Sequence, residues 1–324
     1  MDIIGIDTVV FGVDDLDAAR RFCRDYGLNE TEHGASGAGF EALDGSSVIL
    51  RLSSDKSLPP ANVSGSTSRQ TIWGVRDKQA LEKIGAELSK DRDVRRDAAG
   101  VLQSVDDDGL AIAFEVSKRR AYDAKPALQN VPGFKPQRPI NSRVDFIAPP
   151  KARSIGHIVF WSRDPDRSVS FYVNRLGFLI TDHVKNNVGV FARAAGSPDH
   201  HNVFFFGHPT NPTSFQHLEC HFADLQEVMV GGSILHERGW KTVMGPGRHI
   251  LGSNYYWYFD TPLGGAFEVS ADIDQLDDGW VTGEWENLAE VAGWAVNFVR
   301  MEAPGFRKGP ATFDVAAMLN ETKS

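Results

Sequence analysis

Three residues in the second half of the chain are of types that suit metal chemistry. His157 lies in GHIVFW, His217 in QHLECHF and Glu268 in GAFEVSA, and each segment reads as a strand. Two imidazoles and one carboxylate are donors for a divalent transition metal, and a facial set of this kind leaves three coordination positions open. Strands hold such donors more rigidly than loops do. A single histidine in a strand is more often a satisfied polar group than a ligand. Three candidates at matching positions of an internal repeat favour ligation. Histidine is also unevenly spread: of ten, only His33 precedes His157. Histidine chemistry therefore belongs to the second half.

The elements that must carry these residues come from that repeat. AFEVS occurs at Ala113–Ser117 and again at Ala266–Ser270. Thr8–Asp17, followed by Phe22, parallels His157–Asp166, followed by Phe171. TIWGVRDKQALEKIGAELSK, from Thr71, parallels LECHFADLQEVMVGGSILHERGW, from Leu218. Each copy reads as a strand, an Asp-containing turn that caps a helix, and then the helix; the first of each pair ends near Gly27 or Gly177. The pattern predicts an α+β protein of two tandem domains, each with two strand–helix units followed by further strands. In the first domain the positions matching His157, His217 and Glu268 are Thr8, Gln70 and Glu115. One carboxylate without imidazoles binds no transition metal tightly, so this domain is expected to be metal-free. A buried Glu115 would need a partner, and Thr8 or Gln70 could supply one.

Length and composition agree with two soluble globular domains: 324 residues, of which 41% are hydrophobic and 24% charged. No run approaches a membrane span, and MDIIGIDTVVFGVDD lacks the basic start of a signal peptide. Two cysteines, Cys23 and Cys220, are too few for a disulfide framework and point to the cytoplasm. A net charge of −9 argues against nucleic acid as a partner. The expected organisation is a first domain at 1–120, a Pro-rich ordered linker at 121–153, a metal-binding domain at 154–274 and a tail at 275–324. In the tail, TGEWENLAEVAGWAVNFVRM from Thr282 reads as a helix. With Trp280, Trp285, Arg300 and Arg307, the tail could cover the site.

From Met1 to about Asp274 the sequence resembles the two-domain type I extradiol ring-cleaving dioxygenases of the vicinal oxygen chelate superfamily. The motifs lie in the second domain. GHIVF with Phe171-Tyr172 and Leu176-Gly177-Phe178 resembles the first-ligand segment, and HLECHF the second-ligand strand. Gly247-Arg248-His249, Tyr258-Phe259-Asp260-Thr261-Pro262 and AFEVS resemble the block that ends in the glutamate ligand. His249, Tyr258 and Glu268 are spaced nine and ten residues apart, as in that family. His200-His201-Asn202-Val203-Phe204 resembles the family's HH strand. One departure is Gly252, where some members carry an acidic residue.

The resemblance implies a fold of two βαβββ modules per domain, forming a curved mixed sheet around a funnel. It implies Fe(II), with Mn(II) the less common alternative, held by His157, His217 and Glu268. It also implies a catechol-type aromatic diol and O2 as substrates, and a homo-oligomer. His201 would be the acid/base residue, for which an imidazole suits. Tyr258 and His249 would hydrogen-bond substrate oxygens. His200, Asn254, Phe191 and Trp257 are candidate substrate contacts, with Asn254 a replacement for the missing acidic residue. His183, His208, His221 and His236 read as structural, although strand alternation puts His221 on the face of His217. Two other readings remain: a lyase, isomerase or hydroquinone-cleaving enzyme on the same fold, and a non-catalytic binding protein. An intact ligand triad argues against the second.

Overall fold

The computed structural model describes residues 2–123, 128–144, 148–208, 212–287, 293–296 and 298–299. The first half contains β1 (Ile3–Val13), α1 (Leu16–Tyr26), β2 (Asn29–His33), β3 (Gly37–Glu41) and β4 (Ser47–Leu52). It continues with β5 (Thr67–Val75), α2 (Lys78–Leu88), β6 (Arg95–Arg96), β7 (Leu102–Val105) and β8 (Ala111–Val116). The second half repeats the order with β9 (Ser154–Ser162), α3 (Pro165–Leu176), β10 (Leu179–Val184), β11 (Gly189–Arg193) and β12 (Val203–Gly207). β13 (Ser214–His221), α4 (Leu225–Glu237), β14 (Thr242–Arg248), β15 (Tyr255–Asp260) and β16 (Ala266–Ala271) complete it. These are four βαβββ modules, two per half, as expected.

The turn chemistry explains the helix starts. Asp15, Asp77, Asp164 and Asp224 each cap a helix, accepting from the backbone N–H of Ala18, Ala80, Arg167 and Glu227 at 2.8–3.0 Å. Gly27 and Gly177 close α1 and α3 in the left-handed conformation, with φ of 100° and 75°.

Each half forms one mixed sheet. In the first, β1 runs parallel to β4 and antiparallel to β5, which runs parallel to β8. In the second, β9 does the same with β12, β13 and β16. The three strands that carry His157, His217 and Glu268, β9, β13 and β16, are thus consecutive neighbours at the centre of their sheet. Burial on both faces explains their near-continuous apolar sequences.

One apolar core runs through both halves. The helices cross between them. Phe22 of α1 packs edge-on against Trp240 and Phe267, and Trp73 of β5 meets Tyr172 and Phe178. The Tyr26 hydroxyl donates to the backbone oxygen of Glu268 and accepts from the Cys220 N–H at 3.2 Å. The linker also touches both halves: Ala152 bonds through its backbone to Gly27 and Leu43 of the first, and the Arg153 N–H donates to the His221 oxygen of the second at 2.8 Å. No helix or strand occurs among the described residues of 121–153.

The tail departs from the expected helix. Gly283–Trp285 forms β17, which adds parallel to β10. Trp294–Ala295 forms β18, paired with β14 and with β19 (Phe298–Val299). The reason is edge satisfaction: the open edges of β10 and β14 offer backbone partners that a free helix would leave unmet. Indole anchors reinforce it, with Trp280 Nε1 donating to the Thr181 oxygen at 2.8 Å and Trp285 Nε1 to Asp182 Oδ1 at 2.7 Å. Arg300, Arg307 and the stretch 288–292 lie outside the described residues. Among the described residues no helix is long and apolar enough to cross a membrane.

Candidate metal centre

The sheet brings the three donors to one point. His157 Nε2 lies 3.1 Å from His217 Nε2 and 3.2 Å from Glu268 Oε2, and the third edge, from His217 Nε2 to Glu268 Oε2, is 3.3 Å. Cis ligands of an octahedral ion with bonds of about 2.1–2.2 Å stand about 3 Å apart, so the triangle matches one face of such a site. All three residues are buried, and Glu268 Oε2 has no hydrogen-bond partner. A buried carboxylate oxygen without a hydrogen bond, aimed at two imidazole nitrogens, is what a bound cation would satisfy. Among the described residues this is the one His/Cys/Asp/Glu cluster with metal-binding geometry.

The remaining atoms of His217 and Glu268 meet hydrogen-bond partners, and that of His157 faces a carboxylate without a hydrogen bond. His217 Nδ1 faces Gln216 Oε1, which leaves Nε2 as the free lone pair. Asn254 Nδ2 donates to Glu268 Oε1 at 2.9 Å and to Ser270 Oγ at 2.9 Å, so Glu268 presents Oε2 to the imidazoles. His157 Nδ1 stands 3.6 Å from Glu219 Oε2, and Glu219 Oε1 is 2.9 Å from His221 Nδ1. His221 Nε2 reaches Asp199 at 3.2 Å. Such outer partners fix the tautomer and orientation of a ligand imidazole. Glu219 was missed from the sequence, although HLECHF carried the signal: alternation puts His217, Glu219 and His221 on one face.

Charge in the site follows from these neighbours. Burial alone would raise the Glu268 carboxyl, but hydrogen bonds and charge from His157 and His217 outweigh it and hold it well below the usual range. Burial lowers His217, and Glu268 only partly offsets that. Burial also keeps His201 well below its ordinary value and brings His249 down to about 4. For His221, burial acts downward but is exceeded by Glu219 and Asp199, which hold it well above the ordinary value.

The other expected residues separate into those at the triad and those elsewhere. The His201 ring lies 4.1 Å from that of His157, centroid to centroid. His249 Nε2 is 3.0 Å from the Tyr258 hydroxyl, and the Tyr258 ring lies 5.1 Å from His217. Burial holds the Tyr258 phenol well above its ordinary value, so it remains protonated. Phe191 stacks on Phe204 at 3.8 Å and meets His201 edge-on at 5.0 Å. His200 is fully buried behind His201. Asn254 is 1% exposed, and its amide hydrogens go to Glu268 and Ser270. Trp257 is not brought to the triad. Alternation along β15 turns Tyr256 and Tyr258 to the His249 side and Trp257 to the other, where it packs on Gly232 of α4 and donates to Thr242 Oγ1 at 3.1 Å. His183 sits in ion pairs with Asp166 and Glu284, and His236 is exposed on α4.

Comparison with known proteins fits this architecture. Residues 154–269 match the Glyoxalase/Bleomycin resistance protein/Dioxygenase superfamily. The chain is 29% identical to metapyrocatechase 2 of Cupriavidus necator over 221 residues, 67% of each protein. Among solved structures it is similar to a Mn(II)-bound glyoxalase from Novosphingobium aromaticivorans, with a TM-score of 0.70 and 21% identity over 98% of this chain and 99% of that one. It is also similar to 2,2',3-trihydroxybiphenyl 1,2-dioxygenase from Sphingomonas wittichii strain RW1, with a TM-score of 0.69 and 18% identity over 92% of this chain and 100% of that one. The segment 154–269 is thus similar to the Glyoxalase/Bleomycin resistance protein/Dioxygenase superfamily, and it is the segment that carries His157, His217 and Glu268.

Proposed function

We propose that this protein is an extradiol ring-cleaving dioxygenase that opens a catechol-type aromatic diol with O2. The observation that carries the reading is the buried His157/His217/Glu268 triangle with its orphaned carboxylate oxygen. His157, His217 and Glu268 would hold Fe(II), or Mn(II) in its place. When bound, the ion would supply Lewis acidity toward two adjacent substrate oxygens and an electron path to O2.

The chain's own residues serve the rest of the reaction. His201 and His249, both kept neutral by burial, stand on different sides of the triad, one against His157 and one against Tyr258. His201 takes a proton from the diol or oxygen-derived group and returns it later. The protonated Tyr258 hydroxyl donates to a substrate oxygen, with His249 as its orienting partner. Phe191 and Phe204 form an apolar wall that limits water beside His201.

Anaerobic reconstitution with Fe(II), followed by oxygen uptake across a panel of catechols and hydroquinones, tests the reading. The expected result is one O2 consumed per diol and a ring-opened product cut beside the two hydroxyls. A metal-loaded protein that converts a substrate without consuming O2 would instead be a lyase or isomerase on the same fold.

A further inference from the structure

Behind His201 runs a chain of buried polar groups that the reaction above does not use. Asp182 of β10 is 2% exposed, His200 0% and His201 4%. Asp182 Oδ2 lies 2.6 Å from His200 Nε2, and His200 Nδ1 lies 3.0 Å from His201 Nδ1. The carboxylate is gripped from its other side by Trp285 Nε1, donating to Oδ1 at 2.7 Å from β17. β17 can approach so closely because residue 283 is glycine: a Cβ there would stand 2.1 Å from Asp182 Oδ1. His200 is further fixed by its backbone N–H, which donates to the Asp274 oxygen at 2.8 Å.

With Asp182 as a carboxylate and both rings neutral, proton accounting along this chain has one solution. An ionised carboxylate only accepts, so His200 Nε2 carries a hydrogen toward Asp182. A neutral His200 then has a bare lone pair on Nδ1. The hydrogen between the two rings must therefore sit on His201 Nδ1, which leaves His201 Nε2 bare. We propose that Asp182 and His200 are positioning residues that hold His201 as its Nδ1–H tautomer, with Nε2 as the proton-accepting atom. The inference rests on the reading of His201 as the acid/base residue, and it deepens that reading by naming the atom that reacts. When Nε2 accepts a proton, His201 becomes an imidazolium that keeps its Nδ1–H···His200 bond. Asp182 stabilises that charge through His200, as the aspartate of a hydrolase triad does for its histidine. Trp285 makes the tail strand part of this arrangement.

The test is the ring-nitrogen NMR of the full-length, metal-free protein labelled with 15N-histidine. His200 is expected as the Nε2–H form and His201 as the Nδ1–H form. Asp182→Asn presents an amide donor to His200 Nε2 and should flip both rings, leaving His201 protonated on Nε2. In the Fe(II)-loaded variant kcat should fall about 100-fold or more while KM and bound iron stay near wild type. Wild-type spectra with His201 protonated on Nε2, or with His200 doubly protonated, would overturn the proposal. So would an Asp182→Asn protein whose His201 signals do not move. The wild-type measurement decides even if the variant does not fold. A protein with the expected tautomers that consumes no oxygen with any diol would remove the dioxygenase reading and leave the tautomer assignment standing.

Discussion

The two halves of the molecule use the same cross-strand position in opposite ways. In the first, Asp7 of β1 projects over Gly74 of β5, where a Cβ would stand 2.2 Å from its carboxylate. In the second, Gly156 of β9 makes room for His221 and Glu219 of β13, with a Cβ there 2.5 Å and 2.1 Å from them. The register equates these pairs: Ile6 opposes Trp73 as Ile155 opposes Cys220. Large and small residues have been exchanged across the ladder. In the first half the buried acid ends in a clamp, with Arg119 near Asp7 and Asp44, each at 3.4 Å. In the second it stands beside His157, at 3.6 Å, and His221, at 2.9 Å.

The same register corrects the reading of the repeated AFEVS. Glu268 lies opposite Glu219, whereas Glu115 lies opposite Gly74. Because Gly74 corresponds to His221, Glu115 occupies the place of Ser270, and the true counterpart of Glu268 is Ala113, opposite Ile72. A shift of two residues preserves the face but moves the carboxylate away from the position that Glu268 takes in the second half. Neither Thr8 nor Gln70 satisfies Glu115. Lys118 Nζ does, at 2.5 Å, while Thr8 is bonded to Ser47 at 2.8 Å. A repeated motif is therefore not a repeated position, and chemistry survives only where register and partners agree.

The strongest way to break this comparison is to remove one donor from each half. His217→Ala should lose tightly bound metal, with affinity falling about a thousandfold and ring cleavage abolished. Glu115→Ala should keep both metal and activity. Metal analysis after gel filtration, with oxygen uptake, reads the two together. Metal lost in the Glu115 variant, or retained in the His217 variant, would reverse the roles of the halves.

Much of this was legible in the sequence because it depends on local pattern. The strand period, the aspartate caps and the residues of the triad all lie within short windows. What escaped depends on which strand meets which. Trp257 was expected at the substrate, but only the pairing of β15 shows which face it takes. Tail residues with helical pattern became strands because two sheet edges were open. The displacement of Glu115 is a register fact that alignment of the two AFEVS copies conceals.

Glu219 offers a subtler probe. Glu219→Gln removes the charge beside His157 and His221 with little change of shape. Loss of an outer partner typically lowers metal affinity 10- to 100-fold, and that range is expected here. Asp7→Asn, at the exchanged position of the first half, should leave metal affinity unchanged. Isothermal titration of the apo proteins with Fe(II) or Mn(II) compares them, and equal effects would mean that the two acids are merely structural.

The pH dependence of the interface should differ between halves as well. Burial pushes Asp106 up to about 7, and Tyr172 of α3 donates to it at 3.1 Å from across the interface. A carboxyl raised in the folded state binds its proton more tightly there than when unfolded. Its contribution is therefore complete below about pH 4 and is lost as pH rises through 7. Asp106→Asn stays neutral, so its stability relative to wild type should climb between about pH 4 and 7, by at most about 1.4 kcal/mol per pH unit, and level off above that. Urea unfolding at several pH values measures this, and a flat difference would show that Asp106 titrates normally.

The smallest expected effect concerns how the metal-free half serves the other. Tyr26 joins the backbone of Glu268 to that of Cys220, within the fully buried centre of β13 and β16. Tyr26→Phe keeps the ring contacts with Phe22, Phe222 and Phe267 but leaves a buried carbonyl and N–H without their shared hydroxyl. The loss should be about 1–2 kcal/mol of stability. Because the orphaned carbonyl belongs to the ligand residue itself, metal affinity should slip by a few fold as well. Tyr172→Phe removes the reciprocal contact, from the second half to the first, and should cost similar stability without touching metal affinity. Equal metal affinity in both variants would reduce the first half to a packing partner. A difference would mean that its helix holds the ligand strand in place.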